Sequence, residues 1–211
     1  MVSAPHDVIL NLNARMNEAQ KRLFGISCFG NFLDLNEIYL QHQLIHKMLL
    51  IEVKQQKPDE MWFNIAGKTI EIFFTRVLSC YWLKRKQVTD AMFNLVESDD
   101  VRRYAWGKDL FDNTFNYLKI ALSKRTYNET TKKDIFTYRL YSYPLAFQIW
   151  IYESLPSLDG KIYQMLFYTW LRLLNWTNTA TRVTVAQLDK IDFDQPDMEV
   201  QGIQLNEEER G

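Results

Sequence analysis

Residues 61–73 read Met61-Trp62-Phe63-Asn64-Ile65-Ala66-Gly67-Lys68-Thr69-Ile70-Glu71-Ile72-Phe73. Aromatic and β-branched residues lie on both sides of Ala66-Gly67-Lys68, and a glycine turn between two such runs is the pattern of a β-hairpin. This is the one strong strand signal in the chain. The remainder reads as helix and loop, so the pattern predicts a mainly α fold: a single α-rich domain over residues 1–188 with one β-hairpin at about 61–73.

Before the hairpin, Asn36 is placed to cap a helix running to about residue 53, with Ile38, Ile45, Met48 and Leu49 inward. Lys57-Pro58-Asp59 ends it. Further upstream, Ile9, Leu12, Met16, Ala19 and Leu23 recur at steps of three and four, which predicts an amphipathic helix over 8–24. Gly25 and Gly30 bracket a turn.

After the hairpin, residues 88–96 predict a short helix capped by Thr89 or Asp90. Residues 106–123 predict a longer one, with Leu110, Phe111, Thr114, Phe115, Leu118 and Leu122 on one face. The polar run 126–134 reads as a loop. A long apolar helix is expected over 135–155, kinked or broken near Tyr143 because Pro144 inside it lacks a backbone donor. Residues 161–175, rich in Tyr, Phe, Trp and Leu, predict a last amphipathic helix. No internal repeat is present, which argues against a solenoid.

The 211 residues suffice for one domain with a substantial core. Hydrophobic residues make up 47% and charged residues 24%, as in ordinary globular proteins, while the 14% aromatic content predicts a core built from rings. Residues 189–211 hold eight acids against two bases, a charge of −6 that leaves +5 on the body. That segment reads as a disordered acidic tail or linker. A body this mildly basic does not by itself imply nucleic acid. Two cysteines, Cys28 and Cys80, form no disulfide framework and are expected as free thiols of an intracellular chain. The most apolar stretch, 143–155, is interrupted by Gln148 and Glu153, so no membrane span is expected.

His42 and His46 stand at i and i+4, a spacing that can share a metal. Gln43 stands where a zinc protease carries its glutamate, and an amide cannot act as a general base. The remaining histidine, His6, is distant in sequence, so neither a metal site nor a cofactor is expected. A cysteine nucleophile needs a histidine to activate it, and every histidine precedes residue 47. Catalytic residues are therefore expected to be absent. The basic runs 84–86, 102–103, 124–125 and 132–133 are short and scattered, and support nucleic-acid contact only as an alternative. Asn128-Glu129-Thr130 and Asn175-Trp176-Thr177 match the glycosylation sequon and read as chance matches.

Several blocks carry a resemblance. They are Ser27-Cys28-Phe29-Gly30-Asn31-Phe32-Leu33-Asp34-Leu35, Gln43-Leu44-Ile45-His46-Lys47-Met48-Leu49-Leu50 and Glu60-Met61-Trp62-Phe63-Asn64-Ile65-Ala66-Gly67-Lys68. Asp99–Lys108 follows, with Ala105 in place of a usual Pro. Leu140–Pro156 (LYSYPLAFQIWIYESLP) and Leu174-Asn175-Trp176 complete the set. Together they resemble the plant domain of unknown function 1985. That domain often accompanies a SUMO-protease-type cysteine peptidase domain in transposon-derived proteins.

The resemblance implies a non-catalytic accessory or interaction domain, nuclear rather than cytoplasmic, with a protein partner. The alternatives are a nucleic-acid-contacting domain of a transposon-related protein and a fragment of a cysteine-type peptidase. The middle, about residues 75–100, is short relative to the family. A shortened middle leaves the aromatic hairpin incompletely covered, so Trp62 and Phe63 are the expected contact residues for a partner or for self-association.

Overall fold

The computed structural model describes residues 5–26, 30–53, 60–72, 106–123, 125–128, 133–136, 140–141, 143–169 and 172–203; for residues 5–9, 106–110, 125–128 and 133–136 it describes the backbone alone. The expected helix at 88–96, both cysteines and residues 204–211 lie outside them.

The architecture is mixed α/β, which corrects the expectation of a mainly α domain with one hairpin. Among the described residues seven strands form three antiparallel sheets. The helices are α1 (Pro5–Arg15), α2 (Glu18–Gly25), α3 (His42–Leu50), α4 (Trp106–Ala121), α5 (Pro144–Ser154) and α6 (Val185–Leu188). The largest sheet is β1 (Glu52–Val53), β2 (Trp62–Ile65) and β3 (Lys68–Glu71) in that order. Two hairpins follow: β4 (Arg125–Asn128) with β5 (Lys133–Phe136), and β6 (Tyr163–Met165) with β7 (Trp176–Asn178).

The opening hairpin forms as read. Ile65 pairs with Lys68 across Ala66 and Gly67, whose φ values of +50° and +72° make the two-residue turn with both central residues left-handed. Gly67 takes that conformation at no steric cost; Ala66 does not, and its N–H is secured by the carbonyl of Phe193 at 2.7 Å. Phe63 and Ile65 point into the core, while Trp62 and Asn64 face the other side, as the two-residue period requires.

α5 organises the core. Pro144–Tyr152 is buried on every side, the pattern of a central rather than a surface helix. Pro144 lies in its first turn, where a missing N–H is no loss. The helix expected over 135–155 is therefore shorter: strand β5 ends at Phe136, and the kink or break expected near Tyr143 is instead the start of α5 at Pro144. Trp150 packs on Phe63 (centroids 5.3 Å apart) and stacks on Phe147 (5.6 Å). Leu44, Ile45, Met48 and Leu49 of α3 and Phe115, Leu118 and Ala121 of α4 are buried in the same core.

Other expectations are also corrected. The helix over 8–24 is two helices, broken at Asn17. The Asn17 side chain caps α2, and Gln20 closes a reciprocal capping box. The helix expected from Asn36 starts only at His42, and the Asn36 amide instead donates to the carbonyl of Leu174 at 2.5 Å. The polar run 126–134 carries β4 and β5. The amphipathic helix expected over 161–175 is replaced by β6, a short 3-10 turn at Arg172–Asn175 and β7. Aromatic residues satisfy both helical spacing and strand preference, and pairing with distant Asn178 decides for strand.

The acidic segment is likewise not a disordered tail over its described part. Residues 189–203 run across the domain surface. Phe193 and Met198 are buried and Ile191, Val200 and Ile203 half-buried, while the acids point outward.

Candidate interaction site

Phe63 has no exposed surface and sits between Phe147 and Trp150. Using it as a contact requires opening the core. Trp62 is half-buried on the opposite face, opposite Glu71 across the strand pair, and its indole N–H donates to Glu60 Oε2 at 2.8 Å. Of the two residues singled out from sequence, Trp62 alone presents surface.

A second aromatic surface escaped the sequence reading. Leu166, Phe167 and Tyr168 follow β6 and are exposed, Tyr168 to 87%. Loop tips carry small or polar residues as a rule, and residues 166–168 are apolar and followed by a hydrogen-bonded Thr169. The buried Asn175 holds it from below. Its Oδ1 accepts from the Thr169 N–H and hydroxyl, both at 2.8 Å, its Nδ2 donates to the Thr169 carbonyl at 3.0 Å, and its own carbonyl accepts from the Leu166 N–H at 2.7 Å and the Phe167 N–H at 3.4 Å. The sequence signal at Asn175 was the glycosylation sequon; in the fold its amide oxygen and nitrogen both bond to Thr169. The α1–α2 pair also exposes apolar side chains, Leu23 to 66% and the adjoining Ile26 to 75%. The stripe read over 8–24 is thus real as a pattern but does not bury α2.

The most polar part of the interior serves the fold. Gln148 Oε1 accepts from the Gln41 N–H at 2.6 Å, and its amide donates to the Tyr39 carbonyl at 3.0 Å and the Tyr152 hydroxyl at 2.7 Å. Asn178 Oδ1 takes the Tyr39 N–H at 2.5 Å and its amide donates to Tyr152 at 2.7 Å. Gln41 Oε1 accepts from the Val183 N–H at 2.7 Å. Each amide oxygen is claimed by a backbone N–H; the NH₂ groups of Gln148 and Asn178 converge on the phenol oxygen of Tyr152, and that of Gln41 donates to the Ala180 carbonyl. Burial pushes the Tyr152 phenol well above its ordinary value, opposed by these two bonds. Tyr163 is pushed up by burial and by the charge of Asp159; its hydroxyl donates to the carbonyls of Tyr152 and Leu155 at the end of α5.

Beside this network Glu153 is a nearly buried carboxylate with each oxygen paired. Arg172 Nη1 donates to Oε2 at 2.7 Å and Trp176 Nε1 to Oε1 at 2.8 Å. Trp176 in turn packs edge-on against Tyr163 at 5.0 Å. The segments 140–156 and 174–176 therefore meet in space.

His42 and His46 lie one turn apart on α3, and burial lowers the pKa of both from 6.5. Among the described residues no group of three or more His, Cys, Asp or Glu is placed to hold a metal, and no helix is long and apolar enough to cross a membrane. A shallow cleft of about 260 Å³ lies between Thr69–Glu71 of β3 and Gln201–Ile203, over Trp150 and Ser154. No family model, no curated protein and no solved structure matches this chain.

Proposed function

We propose that this chain is a non-catalytic interaction module that binds a protein partner or a second copy of itself through aromatic side chains on its surface. The observation that carries the reading is the Leu166–Tyr168 tip. It presents two aromatic rings to solvent on a loop held by five hydrogen bonds to Asn175. Preorganised aromatics make strong contacts because little entropy is lost when they dock. Trp62 offers a further surface, and the buried amides of Gln41 and Gln148 are engaged within the fold. The resemblance to the domain of unknown function 1985 fits an accessory role beside a SUMO-protease-type domain.

Two measurements test this. Light scattering across a concentration series should show self-association that falls at least about tenfold in affinity, the loss of an aromatic contact, when Tyr168 or Trp62 is replaced by Ala. Concentration-independent monomer at millimolar protein would remove the second-copy form. Incubation with a thiol-reactive SUMO probe should give no labelled product; labelling abolished by Cys80→Ser would overturn the non-catalytic reading.

A further inference from the structure

We propose that residues 189–203 form a latched strap that opens as one unit and gates the outer edge of β3, with Lys47 as its latch. The segment has no helix or strand of its own, and its composition is two-sided. Ile191, Phe193, Met198, Val200 and Ile203 turn inward, while Asp189, Asp192, Asp194, Asp197 and Glu199 are exposed, with Lys190 their sole exposed basic neighbour in the segment. Like charges crowded along a short extended run repel one another and favour release. Docking must therefore be secured at a few points.

Among the described residues there are four such points. At the first, Lys47 reaches from α3 and its ammonium donates to the carbonyls of Leu188 and, at 2.6 Å, Ile191, while lying 5.2 Å from the centre of the Phe193 ring. One cation thus satisfies the carbonyl end of α6 and the start of the strap together. At the second, the Phe193 carbonyl accepts the N–H of Ala66, in the turn between β2 and β3. At the third, the Ser157 hydroxyl accepts the Glu199 N–H at 3.0 Å and donates to Met198 Sδ at 3.2 Å. At the fourth, Gln201 gives its N–H to the Ser154 carbonyl at 3.1 Å and its side-chain amide to the Glu153 carbonyl at 2.9 Å.

The path of these anchors places the strap beside the hairpin. It touches the turn at Ala66 and ends across the cleft from Thr69–Glu71. Ile72 gives its N–H to the Met61 carbonyl, so by antiparallel alternation Lys68 and Ile70 also bond to β2, and Thr69 turns its backbone outward. Gln201–Ile203 stands over that open edge. Undocking widens the approach to it and exposes the apolar surface under Phe193 and Met198. Segments held by few contacts open at lower free energy than the core they cover.

Amide hydrogen exchange by NMR on the full chain reads the strap with no partner present, so this proposal can fail without the interaction reading failing, and the reverse. The Ala66 and Gln201 amides are donated across the strap boundary from opposite sides. They should share one opening constant, at least about tenfold larger than that of Ile149 in α5 or Ile72 in the hairpin. Lys47→Met should speed exchange at Ala66 and Gln201 by about another tenfold and leave Ile149 unchanged, while Lys47→Arg keeps most of the protection. Ala66 and Gln201 exchanging only with Ile149, or an equal effect of Lys47→Met on every amide, would overturn it. Should Lys47→Met fail to fold, the wild-type comparison of Ala66, Gln201 and Ile149 decides alone.

Discussion

Gly30 packs directly against the backbone of Gly25: a β-carbon at position 30 would lie 2.0 Å from the Gly25 carbonyl oxygen and 2.7 Å from its carbon. The obstacle is main chain at the end of α2 and cannot rotate away. Gly30→Ala should therefore cost about 1–3 kcal/mol, the range for forced overpacking, measured by urea unfolding. Gly25→Ala meets nothing within 4 Å and serves as the control. Equal stability of the two variants would mean that α2 does not dock on the 30–34 turn.

Trp150 stacks on Phe147 and packs tilted against Phe63, with 1% of its surface exposed. Trp150→Ala should cost about 3–5 kcal/mol, the combined loss of transfer free energy and the cavity left behind. A loss below about 1 kcal/mol would place the ring outside the core.

Asn175→Ala removes the acceptor for the Thr169 N–H and hydroxyl and the donor to its carbonyl. Leaving such groups unsatisfied costs about 1–3 kcal/mol. The local effect should be larger than the global one: amide exchange at 166–169 should rise well beyond that at α5, and self-association through Tyr168 should weaken. Asn175→Asp keeps the acceptor and should recover part of the loss.

Stability should depend on pH at both ends. Burial lowers the pKa of His42 and His46 in the folded state. The unfolded chain then binds protons first as pH falls below about 6.5, so stability drops on acidification through that value and levels off below the folded pKa. His46→Gln should flatten this limb. Tyr152 and Tyr163 are shifted the other way. Their folded forms hold the proton beyond pH 10, where the unfolded phenols release it, so stability is full below about pH 10 and declines above it. Tyr163→Phe should reduce the alkaline slope. Thermal melts from pH 5 to 11 measure both limbs.

The parts legible in sequence are those whose signal is local. The hairpin over 61–73 was legible because a glycine turn sits between aromatic and β-branched runs, although the sequence grouped Phe63 with Trp62 at the surface. The helix expected over 106–123 formed as Trp106–Ala121, and the most apolar stretch, 143–155, became the buried helix α5. What tertiary structure alone decided involves partners far apart in the chain. Tyr163–Met165 became a strand because Trp176–Asn178 was brought beside it, although the same aromatics fit a helix. Pro144 marks a start and not a kink because the backbone before it turns to reach Thr114 through the Tyr143 N–H. Phe63 became core and Tyr168 surface although both are aromatic residues at or near strand ends, because Trp150 and Phe147 cover one while Asn175 holds the other outward. In residues 189–203 the acids dominate composition, so the segment reads as solvated. Its apolar residues bind only because α3, Ala66 and Ser157 already stand where Phe193 and Met198 can reach them. Local periodicity carries the choice of element, but burial is a property of pairs of segments.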